Sequence, residues 1–298
     1  MTDLSNLRQA ENKVSIAGVL KTKNLELREK DGKRYIMGEL EVETGENATQ
    51  TVKVFVSELN KDGKESKAWA GMKTVMETFK SQAKDGADAD VVIITGGQIG
   101  INDYKGRDGQ VKSIPQISTM FINRAKNEEE VARREAKATV EMFLTSVVPE
   151  VNKDGDETGR AKVTGLVPLY KGGLAPLTLF ANTGKPSEYI LSNYERGDTI
   201  IAHITLVNTT EIKKVEQEVD FGEPEIKVYK NFKNEMILTG GKKYDEENPN
   251  AYNVELIKKA MVEREAKLEE IKNREDKPKA STPTAPTSKP AADTDFPF

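Results

Sequence analysis

Two short runs set the strongest limit on how this chain folds: Val52-Lys53-Val54-Phe55-Val56, and Leu177-Thr178-Leu179-Phe180-Ala181 in the second half. Each alternates apolar residues with outward positions. Side chains on a strand change face at every residue, so each run is a strand with one buried and one open face. The same alternation, with Phe in an outward place both times, predicts that the two halves share one plan.

The surrounding segments bear out that pattern at the level of sequence. Residues 14–20, 35–42 and 51–56 read as short β-branched strands bounded by turn residues such as Asp31-Gly32 and Thr44-Gly45. From 66 to 82, Trp69, Met72, Val75, Met76 and Phe79 recur at spacings of three and four, which is one face of a helix. Strands at 90–101 and 112–122 follow. Three strands, a helix and two strands are the element order of an OB-fold. The second half is read as strands 139–151, 161–169 and 174–181, a short helix 186–194 and a long strand 198–209. A charged excursion over 211–233 then turns at Phe221-Gly222-Glu223-Pro224.

The expected fold class is therefore all-β dominated, with two tandem OB-fold barrels, a C-terminal helix and a disordered tail. The division is a first barrel at 1–125, a charged linker at 126–137, a second barrel at 138–245, a helix at 246–275 and a tail at 276–298. In the helix, Val254, Ile257, Met261, Leu268 and Ile271 occupy heptad seam positions, with Arg264 interrupting. Packing of this stripe on the second domain is the simpler reading, and a coiled-coil seam is the other. The Lys, Pro, Ser, Thr and Ala of the tail cannot bury a core.

Composition narrows the function classes. With 298 residues, 32% charged and 36% hydrophobic, the chain is expected to be soluble. Its apolar stretches are too short for a membrane span, so no membrane partner is expected. The start, Met1-Thr2-Asp3-Leu4-Ser5, shows no secretory signal, and a cytoplasmic location is the simplest expectation. The absence of cysteine removes disulfides, thiolate metal sites and thiol catalysis. A net charge of −4 means that any phosphate-binding surface is a local stripe.

Such a stripe is legible in the strand phases. With Ile36, Gly38, Leu40 and Val42 inward, Tyr35 and Met37 face out, and with Val52, Val54 and Val56 inward, so do Lys53 and Phe55. Tyr35, Lys53 and Phe55, with neighbouring Arg34, then offer aromatic faces beside cations, the combination that stacks bases and follows a phosphate backbone. In the last hairpin of this half, Tyr104 is placed to stack, and Lys105, Arg107 and Lys112 to neutralise phosphates. Second-half candidates are Tyr170 and Lys171 at the end of a strand, outward Phe180, and Tyr229 on the excursion. The competing reading makes the loop Lys and Tyr ordinary and the outward Phe residues subunit contacts.

Other signals point to structure. Trp69, at helical spacing with Met72 and Met76, is a core residue. His203 has no second His or Cys to share a metal. Asp154-Gly155-Asp156 imitates a calcium loop, but Gly165 stands where a bidentate Glu is required, so the stretch is a hairpin turn. Asp85, Asp88 and Asp90 precede a strand in a turn. No phosphate loop, nucleophile elbow or HExxH pair occurs. The expectation is a non-enzymatic protein without metal or cofactor.

The last residues, Asp293-Thr294-Asp295-Phe296-Pro297-Phe298, set two carboxylates and the terminus beside a Phe-Pro-Phe wedge, a shape a basic-rimmed apolar pocket can hold. This ending, and the opening strand Glu11-Asn12-Lys13-Val14-Ser15-Ile16-Ala17-Gly18-Val19-Leu20, resemble the single-stranded DNA-binding proteins of bacteria and their phages. The resemblance implies coverage of single-stranded DNA and recruitment of replication, recombination and repair proteins through Asp293, Asp295, Phe296, Pro297 and Phe298. It also implies a homo-oligomer, a dimer if two barrels share one chain. Thr294 between the acids and Phe296 in place of an aliphatic residue depart from the family pattern, as a phage-encoded version in a host bacterial cytoplasm would. The alternative is a phage structural or assembly protein built of tandem β-domains, its outward Phe residues packed on other subunits.

Overall fold

The computed structural model describes residues 6–217, 225–245 and 247–274, with side chains described outside 212–229. Alternating apolar runs become β1 (Asn12–Lys30), β2 (Lys33–Gly45) and β3 (Ala48–Ser57), followed by α1 (Lys67–Thr78) and the single turn α2 (Gln82–Asp85). Then come β4 (Val91–Lys105), β5 (Val111–Thr119), the two-residue β6 (Asn123–Arg124) and α3 (Glu128–Ala132). The second half carries β7 (Glu135–Val151), β8 (Glu157–Pro168), β9 (Leu174–Ala181), α4 (Lys185–Asn193), β10 (Thr199–Gln217) and β11 (Glu225–Lys243). The last described element is α5 (Val254–Lys272).

Strand pairing closes two barrels with the same wiring. In the first, β1 pairs β2, β2 pairs β3, β3 runs parallel to β5, β5 pairs β4 and β4 returns to β1. The second repeats the circuit through β7, β8, β9, β11 and β10, again with one parallel contact, between β9 and β11. Closure removes the open edges that make isolated sheets aggregate. The bulges coincide too: the register slips between Leu20 and Thr22 in β1 and between Leu144 and Ser146 in β7.

That shared register corrects one equivalence drawn from sequence. Val42 faces Leu20 and Gln50, while Gly165 faces Leu144 and Leu177, so Gln50 corresponds to Leu177. Counting along β3 and β9, Phe180 corresponds to Lys53, and Phe55 corresponds to Asn182. Two Phe residues in similar pentapeptides are not in the same place. The shift is two residues, which keeps each side chain on its face, so alternation does not reveal it and only the pairing partner fixes it.

Each barrel interior is filled by inward residues: Val14, Ile16, Leu20, Ile36, Leu40 and Val52 in one, Val140, Met142, Leu144, Val163 and Leu179 in the other, all without solvent exposure. The first barrel is plugged by α1, which buries Ala68, Trp69, Met72 and Val75, with Ser66 Oγ accepting from Trp69 N as N-cap. This helix stops sooner than its apolar spacing predicts. Lys23 Nζ donates to the carbonyls of Val75, Met76 and Phe79 at 3.1, 2.8 and 2.7 Å, satisfying the C-terminal acceptors. Phe79 leaves in extended conformation and its ring lies under the Arg124 guanidinium, 4.5 Å away.

Other departures from the sequence reading share a cause, namely charge masking strand. The outer half of β1, from Thr22 to Lys30, pairs with β2 across the Asp31-Gly32 turn although it is rich in Glu, Lys and Arg. The charged excursion is in fact the paired outer halves of β10 and β11, in register from Thr209 with Lys233 out to Gln217 with Glu225. The inner half of β11 supplies the fifth strand that closes the second barrel, Ile237 meeting Phe180 of β9. The turn predicted at Phe221-Gly222-Glu223-Pro224 lies outside the described residues.

The barrels join through their first strands, β1 and β7, antiparallel from Asn12 opposite Val140 to Ala17 opposite Glu135. Residues 135–137 of the expected linker therefore belong to a strand. Beside this seam Glu141, 3% exposed, accepts from Arg8 Nη1 at 2.7 Å, Glu11 N at 2.7 Å and Tyr244 Oη at 2.6 Å. Burial disfavours its charge most, yet these donors outweigh burial and hold its carboxyl below the usual value. The same environment pushes the Tyr244 hydroxyl up to about 12, through burial first and its hydrogen bond to Glu141 second.

Candidate nucleic-acid interface

The outward faces of both barrels form one continuous depression. Its first stretch, about 470 Å³, is lined by Asn24, Met37, Glu39, Lys53, Phe55 and Gln116. Lys53 and Gln116 also line the second stretch, about 380 Å³, with Gln50, Asn102, Tyr104, Ile114 and Met236. Ile114, Asn234 and Met236 continue into a third stretch, about 520 Å³, walled by Thr164, Thr178 and Phe180. The path runs from the β2–β3 face, over the β4–β5 hairpin and β11, onto β8 and β9.

Aromatic groups concentrate at the first end. The Tyr35 and Phe55 rings lie 5.4 Å apart at a 35° tilt, with Phe55 61% exposed. Alternation on adjacent strands puts them on one face, as their sequence phases predict. Tyr104, 37% exposed, stands at the middle of the path beside the exposed Ile114. Phe232, 71% exposed, shares strand parity with Asn234 and Met236 and extends this face along β11.

The cations differ from the expectation of free phosphate ligands. Arg34 is paired with Glu58 and Lys53 with Glu39, both in close contact, and Lys112 meets Asp108 at 3.1 Å. A phosphate would have to displace a carboxylate at each of them. Lys105 lies on the other face of the hairpin, its Nζ donating to the Arg274 carbonyl at 3.2 Å, while Arg107 is exposed at the hairpin tip. Alternation explains the split: Tyr104 faces the depression, so its neighbour Lys105 cannot.

Second-barrel candidates are less gathered. Tyr170 and Lys171 do not end a strand, because β8 stops at Pro168. They form a tight turn in which Lys171 takes φ 59° and its Nζ sits 5.6 Å from the Tyr170 ring centroid. Neither residue lines the path. Phe180 does line it, but it is half-buried beneath Arg160, whose guanidinium lies 4.6 Å over the ring. Arg160 is held by Glu235 at 3.0 Å and Glu150 at 3.5 Å. Burial opposes ionisation of Glu235 most, and Arg160 with Lys233 still keeps its carboxyl below the usual value. The Tyr229 side chain and the tip, Asp293, Asp295, Phe296, Pro297 and Phe298, lie outside the described residues.

Met37, read as outward but not named as a contact, lines the path, and so do Ile114, Asn234 and Met236, which escaped the sequence reading. Met37 alone had a signal, its phase with Tyr35. The others depend on how β5 and β11 meet, which periodicity does not encode. Among the described residues no cluster of His, Cys, Asp or Glu is arranged to hold a metal ion, and no helix is long and apolar enough to cross a membrane.

Comparison with known proteins agrees with the barrel wiring. A deletion mutant of the single-stranded DNA binding protein from Thermus aquaticus aligns with 82% of this chain and 99% of its own, at 13% identity and a TM-score of 0.51. The wild-type form of that protein aligns with 82% and 98%, at 13% identity and a TM-score of 0.49. At that identity the likeness is one of fold. No curated protein matches the sequence. The YorF family model matches residues 10–274, from the first strand to the end of the last helix. The chain belongs to the YorF family.

Proposed function

We propose that this protein binds single-stranded DNA along the path that crosses both barrels, with little preference for sequence. The observation that carries the reading is the continuity of that path from the Tyr35–Phe55 pair past Tyr104 to the second barrel. Exposed rings give every base a π-face to stack on. The fold shared with the Thermus aquaticus protein supports the same reading. The ion-paired cations make stacking, and not net charge, the main source of affinity.

Among the described residues the second barrel brings to the path only Phe180, half-buried under Arg160, and the exposed Phe232 on β11, so its contribution is to extend the path and to hold the first barrel in place. The acidic Phe-Pro-Phe tip recruits replication and repair proteins in this scheme, as a short peptide held by a basic-rimmed apolar pocket. Titration with single strands of increasing length tests the path: affinity rises until both barrels are spanned and then levels. A plateau reached at the length that fills the first barrel alone would remove the second barrel from the interface.

A further inference from the structure

The β4–β5 hairpin has two faces with different duties. Asn102 faces Ile114 and Tyr104 faces Lys112 across the ladder, and Asn102, Ile114 and Tyr104 line the DNA path. Between them Asp103 pairs with Ser113, which also edges the third stretch of the path, and Asp103 is turned toward α5. There the Arg264 guanidinium forks onto Asp103, with Nη1 to Oδ2 at 3.0 Å and Nη2 to Oδ1 at 2.8 Å. Nη2 also donates to Ser113 Oγ at 3.1 Å, and Nη1 to the Leu174 carbonyl at 3.0 Å. Leu174 opens β9, so one side chain ties the last helix to the hairpin of the first barrel and to a strand of the second.

The sequence presents Arg264 as a defect in an apolar heptad stripe. In the structure Val254 and Met261 are exposed, Ile257 and Ala260 face inward, and Arg264 continues that inward stripe. Both ends of its ion pair are well covered, with side-chain exposures of 14% for Arg264 and 17% for Asp103. A planar fork on a carboxylate in such a setting fixes direction as well as distance. The other side of the barrel junction has its own tie. Gln50 Nε2 donates to the Leu206 carbonyl at 2.9 Å, and Thr210 N donates to the Asn47 carbonyl at 2.9 Å. On the hairpin side Lys105 Nζ donates to the Arg274 carbonyl at 3.2 Å, and Arg264 is the tie that reaches both the hairpin and β9.

We infer that Arg264 is a positioning residue: it sets the β4–β5 hairpin at the junction, and so the continuity of the DNA path from one barrel to the other. The inference rests on the proposed function, since it concerns how the two barrels act on one strand. When two binding units are held in register, the second contact is intramolecular and adds avidity; when geometry is lost, that gain disappears.

The test pairs a DNA-free measurement with binding. The chain contains no cysteine, so Gln110→Cys and Lys162→Cys accept spin labels at two defined points, one on the hairpin and one on β8. Distance distributions are then measured with Arg264, with Arg264→Ala, and with the milder Arg264→Lys and Asp103→Asn. Expected is a broadened distribution in Arg264→Ala and Asp103→Asn, with Arg264→Lys intermediate. In unlabelled protein, Arg264→Ala loses about tenfold in affinity for a strand long enough to span both barrels, and less than twofold for one that fills the first barrel. An unchanged distance distribution in folded Arg264→Ala and Asp103→Asn overturns the inference, as does unchanged long-strand affinity when the distribution has broadened. Failure of the unsubstituted protein to bind any single strand defeats the proposed function instead, and the distances still decide whether Arg264 holds the hairpin.

Discussion

Replacing Phe55 by alanine separates binding from folding more cleanly than any other change to the path. Its ring is 61% exposed and rests on Tyr35 at 5.4 Å, so its removal uncovers little core. The fold should lose less than about 1 kcal/mol. A stacked base is worth about 1–3 kcal/mol, which at 1.4 kcal/mol per decade is a loss of about 5- to 140-fold in Kd. Tyr35→Ala should fall in the same range. Because the two rings touch and offer one platform, the double variant should lose less than the sum of the singles, a coupling that a double-mutant cycle measures directly. Fluorescence anisotropy with a labelled single strand gives the affinities, and urea denaturation confirms the fold. A folded Phe55→Ala that binds within twofold of the parent refutes the stacking argument.

Three further outcomes follow from particular contacts. Glu39→Gln releases Lys53 from its carboxylate and removes a negative charge from the path, so affinity for single strands should rise at low salt and depend more steeply on salt, by about 0.7 in the logarithmic slope for one added phosphate contact; a weaker binder would contradict the ion-pair account. Glu141→Ala removes the acceptor shared by Arg8, Glu11 and Tyr244 and should cost about 3 kcal/mol by urea denaturation. With Glu141 ionised, the folded-state pKa lies below the usual 4.5, so its stabilisation is present above that value and lost as pH falls through the lower folded one; a parent and a variant that lose stability in parallel between pH 5 and pH 3 would show no such linkage. Lys23→Ala leaves three carbonyls at the end of α1 without their donor and should cost about 1–2 kcal/mol, with hydrogen exchange faster in the last turn of that helix and not elsewhere.

The alternating runs of the first half were readable because barrel strands with one buried face must keep period two, and Tyr35 beside Phe55 followed from phase alone. Strand β11 was hidden because Lys230, Asn231, Phe232 and Lys233 are exposed on both faces, and buried residues appear only from Ile237. The equivalence of Phe55 with Phe180 failed because similarity between two pentapeptides says nothing about their partners, and the partners put Phe180 at the position that Lys53 holds in the first barrel. Arg160 over Phe180, Arg264 on Asp103 and the donors around Glu141 each join residues far apart in sequence. No local pattern announces such pairs. The cations named from the sequence have their charge already committed: Lys53 to Glu39, Arg34 to Glu58 and Lys112 to Asp108.

The central claim is that both barrels bind one unpaired strand. Its most direct test is a fluorescence-anisotropy titration of the full chain against labelled single-stranded and duplex oligonucleotides of equal length, at two salt concentrations. Tight binding to the single strand, weakened only moderately by salt, with duplex binding far weaker, is the predicted result. Absence of single-strand binding at low salt, together with large stable homo-oligomers, would contradict it and make the exposed rings contacts between subunits.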